Sequence, residues 1–74
     1  MKIASLIVEF DENRGEEIKQ ALHPFKNLTI YGEKDNKIVV VIESEEIKDL
    51  TQTIDQISAI TFIKSVTPVY ISEL

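Results

Sequence analysis

Cysteine and tryptophan are absent from this chain of 74 residues, which has only two glycines, two prolines and one histidine. The lack of cysteine excludes disulfides, zinc–thiolate sites and cysteine nucleophiles. Two isolated glycines form no glycine-rich loop that would cradle a phosphate. No apolar run approaches the roughly 20 residues that a membrane-spanning helix needs. At 8.4 kDa, the chain is predicted to form one domain over residues 1–74, which excludes a multidomain enzyme.

Positive charge is also scarce. Eight Lys and Arg residues stand against 13 Asp and Glu residues, which gives a net charge of −5. This balance opposes binding to nucleic-acid backbones and to anionic lipid, and it favours a cationic partner. The amino-terminal segment reaches Glu9 and Asp11 before any cleavage-like site, so it does not resemble a secretory signal and we expect a cytoplasmic protein.

The apolar pattern predicts four strands and two helices in the order βαββαβ. Strands are predicted at Lys2–Phe10, Leu28–Lys34, 38–43 and 62–71. The third carries five consecutive aliphatic residues, which is typical of a central strand. Pro68 places the fourth at a sheet edge, because proline cannot donate to a ladder. Right-handed crossovers then predict an α+β, ferredoxin-like split βαβ fold. Its antiparallel four-stranded sheet has the order 4-1-3-2, and both helices lie on one face.

Capping signals predict where the helices begin. Asn13, followed three residues later by Glu16, resembles a capping box, and Pro24 ends the first helix. Ser44 is predicted to cap the second helix, with two glutamates favourable to its amino-terminal dipole. Helical spacing predicts two apolar stripes that face the sheet: Ile18, Ala21, Leu22 and Phe25, and Ile47, Leu50, Ile54 and Ile57.

Strand alternation assigns side chains to the two faces of the sheet. The helix side is predicted to hold Ala4, Leu6, Val8, Leu28, Ile30, Ile38, Val40, Ile42 and Val66. The open side is predicted to hold Ile3, Ser5, Ile7, Glu9, Tyr31, Val39, Val41, Thr67, Val69 and Ile71. The register of the fourth strand stays open, because the spacing of Ile63 and Val66 implies either a bulge or a late entry into the strand. An open apolar face predicts either a binding surface or a homodimer that packs sheet against sheet.

Residues that carry chemistry are sparse, and we predict no catalytic residue, no cofactor and no metal. His23 precedes a proline at a helix end, where it interacts with terminal carbonyls, and no serine lies in an elbow motif. The paired acids stand at helix starts, where they favour the helix dipole. Arg14 is surrounded by acids, unlike the arginine in the phosphate cradle of acyl-phosphate hydrolases with this topology. These observations leave a binding module or a regulatory ligand domain.

Four segments, taken in order and spacing, resemble the NapD-type assembly chaperones of periplasmic nitrate reductase. The segments are Ser5-Leu6-Ile7-Val8, Lys37-Ile38-Val39-Val40-Val41-Ile42-Glu43, Gln52-Thr53-Ile54 and Val66-Thr67-Pro68-Val69-Tyr70. The chain departs from the family in two loops. Pro24-Phe25 stands where members often have Pro-Gly, and Phe62-Ile63 stands where they often have Gly-Val.

This resemblance implies a cytoplasmic chaperone without catalytic activity. Such a chaperone binds the twin-arginine signal peptide of the molybdenum-containing catalytic subunit and delays export until the cofactor is inserted. The residues predicted to bind this peptide follow from strand position on the open face, and they are Ser5, Ile7, Glu9, Tyr31, Val39, Val41, Glu43, Thr67 and Val69. Glu9 and Glu43 are expected to pair with the arginines of the peptide. The alternatives are a dimeric ligand-sensing domain of the same topology and a purely structural subunit, and a weak homodimer of the free protein stays open.

Overall fold

The computed structural model describes residues 1–73, the last of them by its backbone only. The elements are β1 (Lys2–Phe10), α1 (Gly15–Leu22), β2 (Leu28–Lys34), β3 (Lys37–Ser44), α2 (Ile47–Ser58) and β4 (Ile63–Glu73). The sheet has the order β2-β3-β1-β4, and every neighbouring pair is antiparallel. The predicted ferredoxin-like class and strand order are therefore confirmed.

A single core lies between the helices and one face of the sheet. Its fully buried side chains are Ala4, Leu6, Val8, Phe10, Ile18, Leu22, Ile38, Val40, Ile42, Leu50 and Ile57. The predicted stripe on α2 is wrong at Ile47, which is the first residue of the helix and is 47% exposed. Thr53 is buried in the stripe instead, and its hydroxyl donates to the Asp49 carbonyl at 2.9 Å.

Both predicted helix caps are wrong. Arg14 is the N-cap of α1 and Glu46 is the N-cap of α2, and neither side chain forms a capping hydrogen bond. Asn13 lies in the left-handed region at φ 70°, which Asn tolerates, and it turns the chain before the helix. Ser44 continues β3 as its last residue, because the ladder with β1 extends to Lys2. Strand pairing and loop geometry therefore prevailed over the local capping signals.

Phe62, which directly precedes β4, contacts the loop that precedes α1. Its carbonyl accepts the Asp11 amide at 2.8 Å, and the Arg14 guanidinium lies 4.2 Å from its ring centroid. Phe62 has φ 76°, a conformation that glycine adopts without strain and that bulky residues rarely adopt. The contact with the cation offsets part of this backbone cost, since such pairs contribute about 0.5–1 kcal/mol at exposed sites.

Three register shifts interrupt the ladders. On β4, one shift leaves Lys64 as an extra residue between Ile63 and Ser65, so of the two alternatives, a bulge or a late entry, the bulge is found. A second shift, which was not predicted, leaves Val69 unpaired between Pro68 and Tyr70. The third lies on β2, between Ile30 and Gly32, and makes Tyr31 the extra residue. Because a shift of one residue exchanges the faces, these bulges decide which side chains reach the open face.

Candidate functional site: the open face of the sheet

The open face, which is the sheet surface opposite the helices, consists of four cross-strand rows. The rows read Glu43, Ile3, Ser72; then Thr29, Val41, Ser5, Tyr70; then Gly32, Val39, Ile7, Thr67; and finally Lys34, Lys37, Glu9, Ser65. The first row is called the Glu43 end and the last the hairpin end, because it adjoins the β2–β3 turn. The aliphatic side chains of Ile7, Val39 and Val41 thus lie in the two middle rows, beside Ser5, Thr29 and Thr67, and charged side chains lie in the two end rows.

The middle of this face is apolar and accessible. Ile7 and Val41 are half-buried and Val39 is 39% exposed, and Ile3, in the adjoining row of the Glu43 end, is also half-buried. Both helices pack against the opposite side of the sheet, where they contribute to the one core cluster. A contiguous apolar surface of this kind is typical of a binding site for an apolar partner.

The register places seven of the nine predicted site residues on the open face. They are Ser5, Ile7, Glu9, Val39, Val41, Glu43 and Thr67. The remaining two, Tyr31 and Val69, are the unpaired residues of bulges, and they are 70% and 61% exposed. The binding roles of all nine stay predictions.

The alternation predicted for the end of β4 is wrong. Val69 does not follow Thr67 on the open face in simple alternation, and Ile71 is paired with Ala4 on the helix side. Tyr70 lies opposite Ser5 instead and is 59% exposed. The bulge at Val69 causes this exchange, since it shifts the side-chain period by one residue. Sequence reasoning missed Tyr70 because only Pro68 hinted at an irregularity there.

The two predicted carboxylates have different surroundings. Glu9 lies across from Lys37, and its two oxygens accept hydrogen bonds from Ser65 Oγ at 3.4 Å and Asn36 Nδ2 at 3.5 Å. Glu43 is exposed, and within residues 1–73 its carboxylate has no hydrogen bond or ion pair. The backbone of Glu43 is fixed, because its amide donates to Asn27 O and its carbonyl accepts from Asn27 Nδ2, both at 3.0 Å.

The two carboxylates lie at opposite ends of the open face. Glu43 is the cross-strand neighbour of Ile3, and Glu9 lies six positions further along β1. At about 3.3 Å per residue of strand, about 20 Å separates the two positions. Lys34 and Lys37 are neighbours at the hairpin end, beside Glu9. Among the described residues, the open face therefore has a carboxylate without an ion pair at the Glu43 end and two lysines at the hairpin end.

Within residues 1–73, no three histidine, aspartate or glutamate side chains are grouped closely enough to hold a metal ion. Over the same residues, no helix has the length and apolar character needed to cross a membrane. His23 is exposed at the end of α1, where its amide donates to the Lys19 carbonyl at 3.1 Å.

The fold and the open face define a small ferredoxin-like binding domain. A family model described as NapD protein matches residues 1–73, so the chain belongs to the NapD family. The structure is similar to the solution structure of the E. coli Tat proofreading chaperone protein NapD, with a TM-score of 0.86 and 24% sequence identity. That match covers 97% of this chain and 78% of the other. A comparison with curated protein sequences gives no significant match.

This family membership confirms the resemblance that the strand and helix segments indicated. The chaperone role predicted from the resemblance is taken up in the proposal below, because the structural match, at 24% identity, shows the fold alone. The client of this particular chain and the residues that contact it are matters for the proposal that follows.

Proposed function

We propose that this protein is a cytoplasmic chaperone that binds a twin-arginine signal peptide on its open face. The proposed client is the catalytic subunit of periplasmic nitrate reductase, whose export is delayed until the molybdenum cofactor is inserted. Two observations support this function. The chain belongs to the NapD family, and its fold matches that of a Tat proofreading chaperone. The client follows from the resemblance in the sequence, and the apolar open face supports the binding site.

The single observation that carries the mechanism is the accessible apolar middle of the open face. A signal peptide has an arginine pair followed by an apolar segment. Docking that segment over Ile7, Val39 and Val41 removes apolar surface from water and contributes about 25 cal/mol per Å². The net charge of −5 attracts a cationic peptide. Apolar contact then supplies most of the affinity, whereas charge supplies orientation and a faster association rate.

A pair of matched variants tests this proposal by calorimetric titration with a synthetic signal peptide. Val39 and Ile30 are both 39% exposed, and they lie on opposite sides of the sheet. Val39→Asp is expected to weaken binding at least tenfold, and Ile30→Asp is expected to change it less than twofold. Both variants add the same negative charge, which by itself attracts a cationic peptide, so a selective loss reports apolar contact. Unchanged binding by Val39→Asp, in a variant that circular dichroism shows to be folded, contradicts the proposal.

A homodimer formed sheet against sheet would use the same surface as the peptide. If the free protein dimerises through the open face, the peptide must dissociate it, because the two occupants exclude each other. Sedimentation velocity with and without peptide distinguishes the cases. A dimer that persists in saturating peptide shows that self-association uses another surface. The dimeric ligand-sensing domain is not favoured by the family match, and stabilisation by amino acids but not by peptide in a thermal-shift screen would restore it.

A further inference from the structure

The two ends of the open face differ in charge, and this difference gives the bound peptide a direction. Resting on the proposed function, we propose that the arginine pair binds at the Glu43 end and that the apolar segment runs towards the hairpin end. The open face then binds the signal peptide in one direction only.

The Glu43 end is suited to arginine. The Glu43 carboxylate is exposed and has no partner within residues 1–73, so binding breaks no existing ion pair. Asn27 fixes the backbone of Glu43 through two hydrogen bonds of 3.0 Å, so the carboxylate extends from a rigid strand. Glu45 and Glu46 follow in the chain, and both are exposed. A carboxylate without competitors forms the strong bidentate contacts that guanidinium groups prefer.

The hairpin end is unsuited to arginine. Lys34 and Lys37 are cross-strand neighbours there, and an arginine pair placed beside them meets two like charges. Glu9 is the only carboxylate in that row, and it already faces Lys37 and accepts from Asn36 and Ser65. Like-charge contact suppresses a wrong orientation more effectively than a neutral surface does.

The space between the ends fits an apolar segment. About 20 Å of strand separates Glu43 from the hairpin end, at about 3.3 Å per residue. A helix of about 13 residues spans that distance at about 1.5 Å per residue. A shallow concavity at the far end of this path is lined by Ile7, Gly32 and Val39 together with four charged residues, Glu33, Lys34, Asp35 and Lys37. Gly32 contributes to it, because a Cβ at this position would have no heavy atom within 4 Å. The carboxyl-terminal part of the apolar segment fits this concavity.

The absence of cysteine makes the direction measurable, since a single introduced thiol is labelled uniquely. Ser72 and Ser65 form a matched pair, because both lie on β4 and face the open side, opposite Ile3 and Glu9. The variants Ser72→Cys and Ser65→Cys are each labelled with a nitroxide and mixed with an isotope-labelled signal peptide, whose NMR resonances are then recorded. The label at position 72 is expected to broaden the arginine resonances at least fivefold more than those at the far end of the apolar segment. The label at 65 is expected to do the reverse. An inverted pattern, or equal broadening from both labels, overturns the proposal.

A charge exchange tests the cause of the direction. The double variant Glu43→Lys/Lys37→Glu keeps the net charge of −5 and inverts the two ends. Its broadening pattern is expected to reverse, and an unchanged pattern overturns the assignment to these charges. Glu43→Gln is expected to weaken binding about fivefold, or about 1 kcal/mol at 1.4 kcal/mol per tenfold. Glu12→Gln removes an exposed carboxylate elsewhere and is expected to change affinity less than twofold.

The outcomes separate this inference from the proposed function. If the peptide binds and Val39→Asp abolishes binding, but the labels show the opposite direction, only the inference fails. If no peptide binds to the folded wild-type chain, the proposed function fails and the inference fails with it.

Discussion

The two faces of the sheet both carry aliphatic side chains from the alternation along the strands, but they have different roles. On β1 every even residue from Ala4 to Phe10 is buried beneath the helices, whereas Ile3, Ile7 and Glu9 are only half-buried. Aliphatic side chains occur on both faces. The covered face uses them to hold the domain together, and the open face leaves them accessible to a partner. The difference shows that apolar content alone does not indicate a core, because helix placement decides which apolar side chains leave water.

The largest effect is expected for Leu6→Ala, which truncates a fully buried side chain. The free energy of unfolding should fall by about 2–5 kcal/mol, since lost burial and a cavity both contribute. Ile7→Ala, one residue along the same strand, should cost about 1 kcal/mol, because Ile7 is only half-buried. Urea unfolding followed by circular dichroism measures both. Equal losses of unfolding free energy in the two variants would contradict the conclusion that only the covered face holds the domain together. If Leu6→Ala does not fold, Val8→Ala offers a smaller truncation on the same face.

The second prediction concerns peptide affinity, for which the open face is expected to matter more than the helix side of the molecule. Ile7→Ser should lower the affinity for a signal peptide about tenfold, or about 1.4 kcal/mol, because it removes apolar contact at the centre of the open face. Ile47→Ser is the control, since Ile47 is an exposed isoleucine on α2. Isothermal titration calorimetry should show no change for this control. If Ile47→Ser weakens binding as much as Ile7→Ser, the peptide does not bind on the open face.

Two asparagines sharpen the contrast between the ends of the open face. Asn36 is half-buried and donates to the Phe10 carbonyl at 3.0 Å, and Asn27 is exposed and donates to the Glu43 carbonyl at 3.0 Å. Asn36→Ala should cost about 1–1.5 kcal/mol of unfolding free energy, and Asn27→Ala about 0.5 kcal/mol, because a partner left unsatisfied away from water costs more. Chemical denaturation measures both changes. A larger loss for Asn27→Ala would show that the Glu43 end, not the hairpin end, is the more tightly bonded.

The smallest effect concerns Lys19, which links α1 to β2 on the covered side. Its Nζ lies 2.9 Å from Glu33 Oε1 and 3.1 Å from Glu16 Oε1. Hydrogen bonding to Glu33 first and to Glu16 second raises the Lys19 pKa above the 10.5 of a free lysine. A raised pKa means that this stabilisation is complete below pH 10.5 and is lost as the pH rises through the higher folded-state value.

Thermal unfolding between pH 9 and pH 12, a range of about 1.5 units on either side of a lysine pKa, tests this dependence. Lys19→Met should flatten the alkaline loss of stability slightly, because the exposed contacts are screened by solvent. Lys48→Met, which replaces an exposed lysine of α2, is the matched control substitution. The same slope for wild type and Lys19→Met would exclude these contacts as a source of stability.

Much of the fold was predictable because period and composition act over whole strands. The bounds of β1 and β2 agree with the predicted ranges, and the central position of β3 follows from its run of aliphatic residues. Seven of the nine predicted site residues lie on the open face for the same reason. The caps at Asn13 and Ser44 were not predictable from local signals, because the loop turn and the β1–β3 ladder outweigh a single side-chain hydrogen bond.

The amino-acid sequence by itself determined the element order, the sheet order and the existence of an apolar face without a covering helix. These features follow from alternation, from the position of Pro68 and from the handedness of crossovers, which involve many residues at once. Only the tertiary structure decided that Tyr70 lies on that face and that Glu9 and Glu43 lie at opposite ends of it. Bulge positions and cross-strand partners depend on how whole strands fit together, and no local segment contains that information.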